Sequence, residues 1–238
     1  ENQVQFDQLI SIEAPTIPEL DFSAQIFNRD GSKAENCING ARCFGKYVFD
    51  TGLLDKEELL VGIEKNKWKI SHPEKNAYVV EQEISDLNSG KDLLPKPNPS
   101  GLHTLDLEDD ILEVGYVNLG NPHAINFTKK INDMPLDNWG HYLQGSEWFP
   151  EGVNLTLAEM RSPREINIRV FERGVGETLA CGSGACATVV IGLQLGYLQQ
   201  EVQVNFKKGS LYIKYDLEDQ RLISKGSADF LEEINILV

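Results

Sequence analysis

Apolar and polar residues alternate along Leu20–Asn28 (LDFSAQIFN), Leu59–Lys65, Lys67–Ser71 and Ala77–Ile84. This rhythm predicts strands with one buried face, the last three forming an antiparallel meander. Weaker or shorter versions predict further strands at Phe6–Ile12, Leu112–Leu119, Ile125–Phe127, Val153–Ala158 and Ile166–Phe171. Beyond them come Val202–Phe206, Leu211–Tyr215, Leu222–Lys225 and a tail strand, Glu233–Leu237, with Lys208–Gly209 as a hairpin turn. Two stretches break the alternation. Cys37 heads a helix pattern that runs to about Thr51, where Gly52 is placed to cap it. Ala185–Leu195 carries neither charge nor proline and reads as a buried helix that begins at Cys181. Pro135–Tyr142 suggests a short helix around Trp139, and Leu87–Gly101, with prolines at 95, 97 and 99, is the best linker candidate.

The two helix starts are copies of one device. Cys37–Ile38–Asn39–Gly40–Ala41 and Cys181–Gly182–Ser183–Gly184–Ala185 share the pattern C-x-x-G-A and lie 144 residues apart. The same ungapped offset pairs Phe27 with Phe171, Arg29 with Arg173 and Gly52 with Gly196. A register that holds from strand through turn and cysteine to helix end predicts two homologous half-domains. The expected fold is therefore α+β, with two pseudo-symmetric units, each an antiparallel sheet wrapped around a central helix. The units are expected at 1–82 plus 228–238 and at 83–227. Related halves usually meet about a pseudo-two-fold axis, so both cysteines are expected to face one cleft. A thiol at a helix N-terminus sits beside unpaired N–H groups and the positive end of the dipole, which favour thiolate. Two such thiols on opposite sides of a substrate suit inversion at a stereogenic carbon: one removes a proton and the other returns one to the opposite face. The two helix N-termini could also hold a carboxylate and stabilise a neighbouring carbanion.

Composition narrows the partners. A net charge of −15 argues against nucleic acid, which needs clustered Lys and Arg. No apolar run reaches the roughly 20 residues of a membrane span. Four cysteines are too few for a disulfide scaffold, so a reducing, cytoplasmic compartment is expected. The chain begins Glu-Asn-Gln, with neither Met nor a signal-like stretch, and reads as lacking its natural start. Cys43 and Cys186, farther along the two helices, read as packing residues. Zinc is not expected, because Cys37 and Cys43 lack the usual spacing and no His pair follows. Gly182–Ala187 imitates a dinucleotide fingerprint, but ten residues of turn separate it from the preceding strand. A redox switch is the rival from another class: two facing low-pKa thiols could form a regulatory disulfide. It accounts for the thiols but not for Glu172, Arg173 and the asparagines around them.

The segments FDQ (6–8), PELDFSAQIFNRDGS (18–32), NCINGARCF (36–44), GNPH (120–123) and FERGVGETLACGSGACA (171–187) closely resemble diaminopimelate epimerase, and the similarity runs nearly the whole chain in order. The resemblance implies an isomerase independent of pyridoxal phosphate and metals that interconverts LL- and meso-diaminopimelate, for lysine and the peptidoglycan cross-link. It implies Cys37 and Cys181 as the base/acid pair. Asn28, Asn121, Asn154 and Arg173 match positions that hold the distal amino-acid end. Glu172 matches a residue that contacts substrate ammonium groups and supports the thiols, and His123 matches the histidine near them. Backbone N–H groups at Ile38–Asn39 and Gly182–Ser183 match the carboxylate cradle, and Gln8 is expected to line the site. Two departures stand out: the family's opening Gly-Asn-Asp-Phe segment has no counterpart, and Ile38 replaces a usual Gly, where a helical φ is expected to suffice. Proline or hydroxyproline racemases share the paired-thiol plan and are the sister reading. A homodimer is the expectation for assembly.

Overall fold

The computed structural model describes residue 6 and residues 8–34, 36–64, 66–84, 87–108 and 110–233. The first unit contains β1 (Gln8–Ile10), β2 (Phe22–Ala24), β3 (Ile26–Asn28), β4 (Lys33–Ala34), α1 (Ile38–Thr51), β5 (Glu58–Ile63), β6 (Asn66–Glu74) and β7 (Ala77–Glu83). After a 3-10 turn at Lys91–Leu93 come β8 (His103–Asp106), β9 (Ile111–Asn118), β10 (Pro122–Phe127) and α2 (Leu136–Leu143). Then follow β11 (Asn154–Ser162), β12 (Glu165–Glu172), β13 (Gly176–Thr178) and α3 (Gly182–Gln194), with β14 (Glu201–Asn205), β15 (Ser210–Asp216) and β16 (Arg221–Gly226) after them. The class is α+β, in two similar units each built around one long helix.

A small sheet has the order β1-β3-β4, and a long one runs β2-β5-β6-β7-β16-β15-β14-β12-β11-β10-β9-β8, with β13 added to β12. The long sheet passes from one unit to the other through antiparallel β7–β16 pairing, Val80 opposite Ser224. The boundary we propose at residues 82–83 therefore lies inside a hydrogen-bonded sheet. The sheets are mixed rather than wholly antiparallel, since β2–β5, β10–β11 and β12–β14 pair in parallel. Alternation reports a half-buried strand but carries no direction, so these pairings could not be read from it.

Each helix is shaped by its pattern. α1 buries Ile38, Ala41, Phe44 and Val48 on one face and leaves Cys43, Tyr47 and Asp50 outside, the i, i+4, i+7 spacing of an amphipathic helix. α3 is buried from Gly184 to Gly192, as a helix with no polar face must be. It packs closely enough on β9 that a Cβ at Gly115 would lie 2.3 Å from Ile191 Cγ2. One apolar core surrounds both helices, and a second forms between α2 and the β8–β11 strands.

The repeat extends to backbone register. In the first unit Ile26 pairs with Ala34 and Phe27 with Lys33; 144 residues on, Val170 pairs with Thr178 and Phe171 with Glu177. Gly52 and Gly196 both take left-handed φ, 64° and 73°, although α3 itself ends two residues before Gly196.

Several predicted elements need correction. Leu20–Asn28 is two strands: β2 joins the long sheet, then the chain crosses at Gln25 and β3 joins the small one. Gln25 bonds Ser11 by backbone N–H to Oγ and by carbonyl to backbone N–H, which anchors the crossing. Phe6–Ile12 shortens to β1, and Asp7 is outside the described residues. Strands β4, β8 and β13 carry too few alternating positions to have been predicted. The Leu87–Gly101 linker is packed down, with Leu94 buried and Ser89 accepting a 2.6 Å hydrogen bond from the Tyr116 hydroxyl. Of the tail strand, Glu233 is described and is not in a strand, and residues 234–238 are outside the described residues.

Candidate active site

The two cysteines take the same post. Cys37 (φ −150°, ψ 98°) and Cys181 (φ −129°, ψ 108°) are extended N-cap residues of α1 and α3. Each thiol accepts a hydrogen bond from the N–H three residues on: Gly40 to Cys37 Sγ at 3.2 Å, Gly184 to Cys181 Sγ at 3.3 Å. Sulfur thus fills the role that Ser or Asp oxygen usually fills at an N-cap. Ser183 Oγ lies 3.5 Å from Cys181 Sγ. All four cysteines are free thiols.

The helix starts meet. Asn39 Oδ1 lies so near Gly182 that a Cβ there would be 2.6 Å from it and 3.5 Å from the Asn39 backbone N. A side chain at position 182 would displace the Asn39 carboxamide. Ile38, for its part, is helical and buried in the core, so φ at this position needs no glycine.

The ionisation expected from helix position alone is corrected by burial. Gly40 N–H and Arg42 favour a Cys37 thiolate, but desolvation outweighs them and pushes this thiol up to about 11. Cys181 is 3% exposed, and burial followed by the Glu172 charge pushes it higher still. In this form both are thiols at neutral pH. Cys186 is also raised, to about 12, by burial, as expected of a packing residue.

Around Cys181 the second unit gathers most of the remaining candidates. Glu172, at the end of β12, accepts a hydrogen bond from Thr178 Oγ1 across the β12–β13 hairpin. Asn154 is buried and bonded at both ends of its amide: Oδ1 accepts from Arg173 N at 2.9 Å, and Nδ2 donates to the Pro122 carbonyl at 3.2 Å. It clasps β10, β11 and the end of β12 together. Gln144 secures the approach by bonding both N–H and C=O of Val153. The Arg173 side chain is exposed, and its guanidinium reaches the Glu151 carbonyl at 3.4 Å, which leaves most of the fork available.

His123 is fully buried. Its Nε2 is 2.9 Å from Asn121 Oδ1, an oxygen that can only accept, so Nε2 carries the proton and Nδ1 is the lone-pair nitrogen. Among the described residues nothing bonds Nδ1, nor the buried Thr156 hydroxyl, 3.3 Å from where a Gly184 Cβ would be. Burial, then the Arg173 charge, depresses His123 to about 3, so the imidazole is neutral. Below about pH 6.5 the unfolded chain binds a proton here that the folded protein refuses. Stability is thus full above pH 6.5 and falls as pH drops toward 3, with a slope of about 1.4 kcal/mol per pH unit from this group. His123→Asn should flatten that part of a denaturant-midpoint-versus-pH curve. An equal slope in the variant would assign the acid sensitivity to other groups.

Gln8 and Asn28 stand apart from this group. Gln8 Nε2 donates to Asn28 Oδ1 at 2.9 Å, and Asn28 Nδ2 donates to Ser32 Oγ, so among the described contacts they bond this hairpin rather than either thiol. His72, His103 and His141 are structural: His72 packs on Phe49, His141 meets the edge of Phe171, and His103 Nδ1 is 2.6 Å from the Pro95 carbonyl. Two residues escaped the sequence reading. Thr178, which holds Glu172, was hidden in a short hairpin strand. Arg42 was signalled only as a lone cation on the apolar face of α1. Two open grooves of about 710 Å³ each, one at Arg164 and Lys214 and one that runs from Arg169 and Lys207 to Thr178, include neither thiol. Among the described residues no cluster of His, Cys, Asp or Glu is arranged to hold a metal, and no helix is long and apolar enough to cross a membrane.

Solved structures share this fold at low identity. A phenazine biosynthesis protein of the PhzF family from Bacillus anthracis superposes with a TM-score of 0.63 at 16% identity, over 98% of this chain and 85% of its own. A hydroxyproline epimerase from Agrobacterium vitis, with bound trans-4-OH-L-proline, gives 0.65 at 10%, over 92% and 72%. Methylitaconate-delta-isomerase gives 0.59 at 12%, over 94% and 80%. These likenesses establish the fold and, at such identities, go no further. The sequence itself is more specific. The profile described as diaminopimelate epimerase matches residues 1–84 and 115–231, taking in both cysteine caps and the strands that lead to them. On that match, the chain belongs to the diaminopimelate epimerase family.

Proposed function

We propose that the protein is a cofactor-independent isomerase that interconverts LL- and meso-diaminopimelate by two-thiol proton transfer at the α-carbon, in the supply of lysine and peptidoglycan precursors. The observation that carries this reading is the pair of cysteine-capped helices whose N-termini meet at Asn39 and Gly182. A substrate carboxylate placed there would accept from the free N–H groups of Ile38–Asn39 and Gly182–Ser183. One thiolate takes the α-hydrogen as a proton, and the C–H electron pair passes into the carboxylate as an enediolate-like anion. The opposite thiol then gives its proton to the other face and becomes the thiolate. The helix dipoles and cradle N–H groups stabilise the anion between these steps.

Burial keeps both thiols protonated until substrate arrives. An α-ammonium beside the sulfurs supplies the missing positive charge and draws one thiol toward thiolate. Glu172, held by Thr178, would receive that ammonium. Arg173, with Asn121 and Asn154 beside it, would hold the far amino-acid end, where a planar fork suits a carboxylate. His123, neutral with an Nδ1 that bonds nothing among the described residues, offers a hydrogen-bond acceptor.

The shared fold of the hydroxyproline epimerase supports a second reading, inversion of proline-type substrates by the same two thiols. Arg173 argues for the longer, two-ended molecule. Incubating the reduced protein with LL-diaminopimelate, L-proline or trans-4-hydroxy-L-proline, and resolving products by chiral chromatography, separates the two. Inversion of LL-diaminopimelate alone is expected. Inversion confined to the cyclic amino acids transfers the assignment to the sister activity.

A further inference from the structure

Arg173 is exposed, yet one short segment at the entry to β11 touches it from end to end. The Glu151 carbonyl accepts from its guanidinium at 3.4 Å, and Asn154 Oδ1 accepts from its backbone N–H at 2.9 Å. Between these contacts lies Gly152, buried and left-handed at φ 79°. A Cβ there would be 2.9 Å from Arg173 Cγ and 3.1 Å from Cδ, so the aliphatic stem of the arginine lies across this glycine. The segment 151–154 is thus the seat of Arg173: it holds the backbone, carries the stem and takes one guanidinium N–H.

The seat is fastened in turn by Gln144, the residue that ends α2. Gln144 Nε2 donates to the Val153 carbonyl at 2.9 Å and to the Gly140 carbonyl at 3.0 Å, and Oε1 accepts from the Val153 N–H at 3.3 Å. The same oxygen would be 2.4 Å from a Cβ at Gly152, so carboxamide and arginine stem both pack on this one residue. α2 is itself set against the strand that leads to Arg173: a Cβ at Gly140 would lie 2.3 Å from Phe171 Cγ. Glycine is the most permissive residue of the backbone and does not hold a left-handed turn by itself. The hydrogen bonds from the end of α2 supply that hold.

Building on the epimerase reading, we propose that Gln144 is a positioning residue for carboxylate recognition, which holds the turn at 151–153 in the shape that aims the Arg173 fork. A fork binds a carboxylate by two parallel hydrogen bonds, so it depends on orientation more than a point charge does. Loosening the turn should therefore weaken binding of the far end of the substrate and spare the proton transfers.

The first readout needs no substrate: NMR relaxation of the Arg173 Nε–Hε group in the free protein. Gln144→Leu, close in size but unable to hydrogen-bond, should lower its order parameter from the parent value to below about 0.6, the flexible range. The second is initial rates with LL-diaminopimelate, where Gln144→Leu should raise KM about 3- to 30-fold, the effect of one or two lost hydrogen bonds, and change kcat by less than about threefold. In an Arg173→Lys background the same substitution should add less than about twofold to KM, because the fork it aims is gone. An unchanged Arg173 order parameter, or a KM effect equal in both backgrounds, overturns the proposal. If Gln144→Leu unfolds, Gln144→Glu carries the test, since it keeps an acceptor for the Val153 N–H and loses both donations; an Arg173 order parameter equal to the parent's is there the contrary result. A drop in that order parameter in a protein that does not invert diaminopimelate counts against the epimerase reading alone. Inversion by the parent protein, with Arg173 equally rigid in the variant, counts against the proposal alone.

Discussion

Cys181→Ala is expected to lower stereoinversion by about 10²–10⁴-fold in both directions, the contribution of a positioned acid or base. Each direction uses this sulfur once, as base for one epimer and acid for the other, so neither escapes. The remaining thiol has a distinct trace to leave. Cys37 can still remove the α-proton of the epimer that faces it and return a solvent-derived one to the same face. The variant should therefore exchange α-hydrogen in one epimer without inverting it. The variant must be confirmed as folded, because the lost cap hydrogen bond from Gly184 is itself a small destabilisation. Ordinary inversion by folded Cys181→Ala would remove the two-thiol mechanism.

Arg173→Lys should raise KM by about 10- to 100-fold, the cost of losing charge-assisted hydrogen bonds, with kcat changed much less. Lysine keeps the charge but presents a point where the substrate carboxylate meets a fork. The backbone at this position is fixed by Asn154, whose Oδ1 holds the Arg173 N–H, so the side chain can change without releasing the strand end. A kcat loss at constant KM would instead place Arg173 at the reacting end. A shift in preference from diaminopimelate toward trans-4-hydroxy-L-proline would show that the fork selects for the second carboxylate.

Much of this arrangement was legible in the chain because it is written twice. A cysteine three residues before a glycine, followed by an apolar helix, specifies a cap, and the second copy made chance an unconvincing explanation. The same offset reproduces the pairing register of the hairpins before each helix. Other features depend on what surrounds a residue rather than on its neighbours in sequence. A helix N-terminus favours thiolate, yet the depth of burial that reverses this at Cys37 and Cys181 comes from strands far away in the chain. That Asn154 also acts as a clasp could not be read from the sequence, because its partners are Pro122 on β10 and Arg173 just past the end of β12. The division of Leu20–Asn28 between two sheets follows from Ser11, which takes hold of Gln25 from a preceding segment.

The central claim is that two opposed thiols carry an α-proton across a diaminopimelate carbon. It is tested most directly by following LL-diaminopimelate in D₂O by NMR, with the protein fully reduced. The account predicts deuterium at the α-carbon of the meso product from the first turnover, with the incorporation lost when the thiols are alkylated. Inversion that retains the original hydrogen, or exchange that survives alkylation of both Cys37 and Cys181, would contradict it.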